Sequence, residues 1–250
     1  MEGDNFGKIG FSLGAPDSGF SMFLADRTKK VHFIRHAEGV HNVASRETGS
    51  NDCLQDMKYW DAPLTENGIE QCKRLRRELA VRPSQGRKFT HFDLVIVSPL
   101  TRTLQSADYI FGPPRKPGVP AALAERFENT ELPRPKFLVR EECRERISNA
   151  CDGRRPVREL IKEFPDFDFS EVEADDDIYY SPVREPSEHV SQRAIAFLEW
   201  LNKRPEKCVA VVTHSSFLRH LFDQFGGDKS AEVGETIHTQ FSRALPVPLG

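Results

Sequence analysis

Four residues carry most of the chemistry this sequence offers: the adjacent pair Arg35-His36, Arg102 and His214. Each stands at the end of a short apolar or β-branched run. Val31-His32-Phe33-Ile34 delivers Arg35-His36, residues 92–97 lead to Ser98-Pro99-Leu100-Thr101-Arg102, and Cys208–Thr213 stops at His214. If these runs are neighbouring parallel strands, their carboxyl ends meet at one rim of a sheet, where open α/β folds bind ligands. Two guanidinium groups give forked hydrogen bonds to an oxyanion, and an imidazole can attack or donate. The set suits a phosphate monoester.

Within that reading His36 is the nucleophile, its Nδ1 proton held by a backbone carbonyl and its Nε2 free. Arg35, Arg102 and a protonated His214 hold the phosphoryl oxygens, with Asn42 and the helix start at Ser215 completing the cradle. The alternative for Arg102, a surface charge, sits poorly at a helix N-terminus; a bound anion gives a cation a reason to be there. The leaving alkoxide also needs a proton. On the residues alone Glu38, Glu141, Glu142 and Glu145 are open candidates for that acid.

The positioning elements follow from periodicity. In LTENGIEQCKRLRRELA, Ile69, Cys72, Leu75 and Leu79 share a helical face. Leu104, Ala107, Ile110 and Phe111 do the same after Arg102, Val190 to Leu201 mark a helix ended by Pro205, and Phe217, Leu218, Leu221 and Phe222 mark one after His214. Residues 44–63 read as an irregular connection and 1–29 as an extended lead-in packed by Phe20 and Phe23. The tail 226–250 supports at most an edge strand. Prolines rule out a long helix in 112–140. The charges around 140–146, with Arg144, Arg154 and Arg155, read as surface groups paired with nearby acids, the alternative for these three arginines being contact with a second anionic group on the substrate. Residues 165–188 read as an ordered excursion over the site held by Phe167, Phe169, Tyr179 and Tyr180. The expectation is one domain over 1–250, with a substrate wall at about 112–188.

Composition bounds the function. The chain has 250 residues, 35 basic and 38 acidic, for a net charge of −3. A basic excess for nucleic acid or an anionic membrane is missing. No apolar run approaches the roughly 20 residues of a membrane helix, and the acidic start is unlike a signal peptide. Five scattered cysteines point to a reducing compartment, so the expected location is cytoplasmic. No metal or cofactor is expected: Cys143 and Cys151 lack a CxxC companion, and the acidic run 166–177 lacks the calcium-loop pattern. The expected partner is a small phosphorylated metabolite; nothing in the pattern specifies an oligomeric state.

RHAEGVHN, LTENGIEQC, VIVSPLTRTLQSA and VVTHSSFLRHLF, in that order, resemble the signatures of the histidine phosphatase superfamily, the phosphoglycerate-mutase-like proteins. EECRERISNACDGRR and EFPDFDFSEVEADDD resemble its plant and fungal phosphoglycerate-mutase-like branch. The resemblance implies a three-layer α/β/α sandwich with a mostly parallel sheet, no metal, and a phosphohistidine on His36. It implies phosphoryl binding by Arg35, Arg102 and His214, supported by Asn42. Val139-Arg140-Glu141 matches the family's Leu-Arg-Glu, which makes Glu141 the implied proton donor and Glu145 the alternative. Ala37 replaces the commonest glycine after the histidine. The mutase segment Glu-Arg-His-Tyr-Gly is missing, which favours a metal-independent phosphatase. A phosphoglycerate-type mutase and a low-turnover phosphate-binding regulator are the alternatives.

Overall fold

The computed structural model describes residues 9–12, 21–24, 29–81, 92–113, 134–225 and 238–243. Strands β1 (Ile9–Ser12) and β2 (Ser21–Leu24) form a two-stranded antiparallel sheet where an extended lead-in was expected. The packing roles expected of Phe20 and Phe23 lie outside the described side chains. The main elements then follow as β3 (Lys29–Arg35), α1 (Val40–Thr48), α2 (Glu66–Val81), β4 (Leu94–Val97), α3 (Thr101–Phe111) and β5 (Lys136–Val139). After these come α4 (Val157–Glu163), β6 (Phe167–Asp168), α5 (Ser187–Lys203), β7 (Cys208–Thr213), α6 (Ser215–Phe225) and β8 (His238–Arg243). The six-stranded sheet runs β6-β5-β4-β7-β3-β8, parallel throughout except for antiparallel β8 at one edge.

Both faces of this sheet are covered, which is why its inner strands are apolar without alternation. Val95, Val97, Val139, Ala210 and Val212 face a layer containing Leu75 and Leu79 of α2 and Leu104 and Ala107 of α3. Leu94, Ile96, Leu138, Val209 and Val211 face Ala194 and Phe197 of α5 and Phe217 and Leu221 of α6. The expected three-layer α/β/α sandwich is the observed fold.

Two sequence expectations need correction, and one element was not foreseen. Residues 40–48 are helical, within a stretch expected to be irregular from residue 44. Only His41 and Ala44 of that helix are buried, so it carries no apolar stripe to read; Gly49, at φ 68°, ends it in the left-handed cap that glycine favours. β5 lies at the end of the 112–140 stretch, in which only a long helix was excluded. Arg144 and Arg154, expected at the surface, are 3% and 1% exposed.

These two arginines build a buried ion-pair network that fastens the 165–188 excursion. Arg144 donates from Nη1 and Nη2 to Asp177 Oδ1 and Oδ2, both at 2.7 Å. Arg154 donates to the carbonyls of Ala174, Asp175 and Asp176. Asp177 also accepts the backbone N–H groups of Arg154, Tyr179 and Tyr180. Phe167 and Phe169 are buried as expected, whereas Tyr179 is 43% exposed and Tyr180 packs on Trp60. Removing one partner of a buried pair strands the other charge. Asp177→Ala is therefore expected to lower stability by about 3–5 kcal/mol, read from denaturant midpoints. The Arg144 contacts hold the Asp177 carboxyl below its ordinary value against the opposing effect of burial. A lowered carboxyl pKa stabilises the fold above the unfolded value and loses that contribution as pH falls, so the wild-type advantage should fade below about pH 4.

Candidate active site

The register of the central strands determines which side chains meet. Arg35 of β3 lies opposite Thr213 of β7, and Val97 of β4 opposite Val212. His36, Ser98 and His214 therefore leave adjacent strand ends at the carboxyl rim. The backbone N–H of His36 still pairs with Thr213 O at 2.9 Å, and that of Ser98 with Val212 O at 3.1 Å, so the ladder holds up to the site itself.

His36 is 3% exposed and its Nδ1 lies 2.7 Å from Ala37 O. A carbonyl only accepts, so Nδ1 carries the proton and Nε2 presents a lone pair whenever the ring is neutral. Burial first, then the charge of Arg102, hold this imidazole well below its ordinary pKa. His214 lies 5.1 Å away, ring centre to ring centre, and its Nε2 is 2.8 Å from Ser98 Oγ. It too is held well below its ordinary value by burial and then Arg102. Both rings are thus neutral near pH 7 before an anion arrives, and a phosphate dianion would raise His214 towards the charged form.

Arg102 enters from the second position of α3. It is 1% exposed, and it donates from Nη1 to Cys151 O at 2.5 Å and from Nη2 to Asp152 Oδ1 at 3.2 Å. Its Nε, His214 Nδ1 and His41 Nδ1 are buried atoms with no hydrogen-bond partner among the described residues. Buried polar atoms are normally satisfied, so the site holds polar atoms for which the described residues supply no partner. A cavity of about 130 Å³ is lined by Arg35, His36, Asn42, Arg46 and Gln71.

The short motifs before and after the strands hold this turn. Glu38 N donates to Gln71 Oε1 at 2.9 Å, and Thr65 N to Glu38 O at 2.9 Å. Ala37 N donates to Ser106 Oγ at 3.1 Å, whose hydroxyl donates to Arg102 O at 2.7 Å. The turn after His36 and the Arg102 backbone are therefore linked through one serine. Asn42 Oδ1 accepts Gly39 N at 2.9 Å, which leaves its amide donors for a ligand.

The four acid candidates separate clearly. Glu38 is engaged by Arg46, Thr65 and Asn67. Glu142 pairs with Arg140. Glu141 is held on both oxygens, by Arg144 at 3.1 Å and Arg154 at 2.8 Å. Glu145 accepts Ser215 Oγ–H at 3.2 Å and Ser216 N–H at 3.1 Å, at the start of α6 beside His214. Ser215 is thus tied to a carboxylate within the protein.

Sequence reasoning missed two members of this centre. His41 is 6% exposed, its ring 5.6 Å from that of His36. Asp152 is 4% exposed and pairs with Arg102; burial, with Glu145 adding repulsion, pushes its carboxyl up to about 6. The spacing of RHAEGVHN could have revealed His41, since it lies five positions after His36, in the first turn of α1.

Among the described residues no His, Cys, Asp or Glu cluster could hold a metal ion, all five cysteines are free thiols, and no helix is long and apolar enough to cross a membrane. The parallel rim, buried histidine pair and guanidinium clamp define the phosphoryl-handling class of α/β proteins. The sequence matches the histidine phosphatase superfamily (branch 1) over residues 31–243, and the chain belongs to that family. It is 37% identical to a phosphoglycerate mutase-like protein of Arabidopsis thaliana over 223 residues, covering 85% of this chain and 80% of that one. It is 33% identical to phosphoglycerate mutase-like protein 1 of the same plant, covering 90% and 82%. The crystal structure of phosphoglycerate mutase from Bacillus anthracis str. Sterne shares the fold with a TM-score of 0.53 at 16% identity, covering 86% of this chain and 88% of that one. Membership places the chain among phosphatase and mutase-type proteins.

Proposed function

We propose that the protein is a metal-independent phosphatase that hydrolyses a small phosphate monoester through a phosphohistidine on His36. The observation that carries this is the Nδ1 contact of His36 with Ala37 O, at 2.7 Å, which directs the lone pair of a buried imidazole outward. His36 Nε2 attacks phosphorus while Arg35, Arg102 and His214 hold the equatorial oxygens. The leaving alkoxide takes a proton from a carboxylic acid, and the resulting carboxylate then takes one from the water that cleaves the phosphohistidine.

Glu145 suits that acid better than Glu141. Both oxygens of Glu141 already accept from arginines, whereas Glu145 borders His214 and is fixed only by hydroxyl and backbone donors. We expect Glu145→Gln to slow alkyl phosphate hydrolysis by about 10²–10⁴-fold and to affect 4-nitrophenyl phosphate much less, because that leaving group needs no proton. Glu141→Gln should show no such split between esters, only the lower stability of a broken buried pair.

Phosphate release from 4-nitrophenyl phosphate in the presence of a chelator tests the assignment directly. Conversion of 3-phosphoglycerate to 2-phosphoglycerate without phosphate release would replace it with the mutase reading. The proposed setting is cytoplasmic, with a small phosphorylated metabolite as partner and no nucleic acid or membrane.

A further inference from the structure

A second, larger cavity of about 590 Å³ lies beside the phosphate centre. Its walls are the turn after β5, segment 171–186 and the first turns of α5. Sites for small organic molecules span roughly 300–1,000 Å³. Neither His36 nor Arg102 lines it; its lining residue Glu145 accepts from Ser215 Oγ–H and Ser216 N–H, which follow His214 in the chain.

The lining has a definite character. Ile147, Tyr179, Val183 and Pro186 give it an apolar wall. Six carboxylates line it against four guanidinium groups, so its field is negative on balance. Most of those carboxylates are engaged: Glu141 by Arg144 and Arg154, Glu142 and Glu171 by Arg140, Glu185 by Arg193, and Glu173 by the Tyr179 hydroxyl. They therefore offer few free acceptors to a ligand. Two lining arginines, Arg140 and Arg144, each keep a buried Nε without a hydrogen-bond partner among the described residues.

We propose that this cavity receives the alcohol half of the substrate, and that this half is bulky, largely apolar and free of any carboxylate or second phosphate. The inference rests on the phosphatase reading with Glu145 as proton donor, because Glu145 lines this cavity and also accepts from Ser215 and Ser216, next in sequence to His214. The phosphoryl group would sit among Arg35, Arg102 and His214, with the ester oxygen at Glu145 and the organic group beyond it. An apolar wall gains from each buried methylene, whereas a glycerate carboxylate would enter a net-negative cavity.

The test compares kcat/KM for 1-naphthyl phosphate, phenyl phosphate and 3-phosphoglycerate in the wild type and in Val183→Trp. Val183 is 73% exposed at the cavity wall, so the indole fills space without entering the core. The naphthyl ester should exceed the phenyl ester by about tenfold or more, with 3-phosphoglycerate below both, and Val183→Trp should remove the naphthyl advantage. An unchanged naphthyl-to-phenyl ratio in Val183→Trp, or a wild-type preference for 3-phosphoglycerate, would overturn the proposal. If no ester is hydrolysed, the phosphatase reading fails by itself, and the cavity is still tested by saturation-transfer NMR with 1-naphthol. Binding that disappears in Val183→Trp supports an organic-ligand cavity; no transfer to the wild type overturns it.

Discussion

His36→Ala should lose turnover of every phosphate ester by at least about 10⁴-fold and form no acid-labile phosphoprotein. The loss should be chemical rather than structural. The contact joining this residue to the sheet is its backbone N–H to Thr213 O, at 2.9 Å, which alanine retains. The side chain removed is neutral and buried against cations that disfavour its charge, so the melting temperature should move by less than about 4 °C. His214→Ala is the informative companion. It removes a phosphate donor and leaves the nucleophile, so a slower enzyme, by about 10²–10³-fold, should still become phosphorylated. The pH profile carries the same signature. Burial and Arg102 lower the pKa of His36, so its attacking neutral form persists as pH falls past 6.5. The acid limb of kcat/KM, which reports the free enzyme, should accordingly lie below the ordinary imidazole range. Full activity in His36→Ala would dispose of the phosphohistidine route.

The part of the site that was legible in the sequence is the part set by strand ends. An apolar run that stops at His36, Arg102 or His214 puts that residue at the sheet rim through backbone geometry alone, and few arrangements of a parallel sheet do otherwise. The hidden part depends on side chains reaching across the fold. Arg144, Arg154, Asp152 and Asp177 look like a charged loop in sequence, since charges are mostly exposed. Only the folded chain shows Arg144 donating to Glu141, Asp177 and Asp152 O. The choice between Glu141 and Glu145 was closed to sequence for the same reason. The residues are four positions apart, yet one meets two buried guanidiniums and the other meets the start of a helix 70 residues further on. Motif spacing favours the first, and partner geometry favours the second.

Arg102→Leu should be costly twice, in activity and in stability, and a second substitution should separate the two losses. As a phosphate donor in a buried site, Arg102 contributes about 10²–10³-fold to the rate. As the partner of Asp152, it offsets the charge of a carboxylate that is 4% exposed, so removing it alone should lower stability by about 3–5 kcal/mol. Asp152 is already disfavoured as an anion, with its carboxyl pushed up to about 6. A carboxyl raised in the folded state stabilises the fold below its unfolded pKa and loses that contribution as pH climbs through the folded value. The defect of Arg102→Leu should therefore be worst above pH 6 and shrink towards pH 4. In Arg102→Leu/Asp152→Asn the stranded charge is gone. The amide oxygen can still accept the backbone N–H groups of Ser148 and Asn149, now at 3.1 and 3.0 Å from Asp152 Oδ2. Most of the stability should return and the pH dependence of the defect should disappear, while activity stays lost. Asp152→Asn alone should do the converse. Its amide oxygen is claimed by those backbone donors, so its NH₂ faces the guanidinium donor to donor and the clamp loosens. The expected result is a KM raised about tenfold or more at pH 7, consistent with the loss of one charge-assisted hydrogen bond. A double variant as unstable as Arg102→Leu, or an unaltered KM in Asp152→Asn, would show that the carboxylate does not hold the arginine in place.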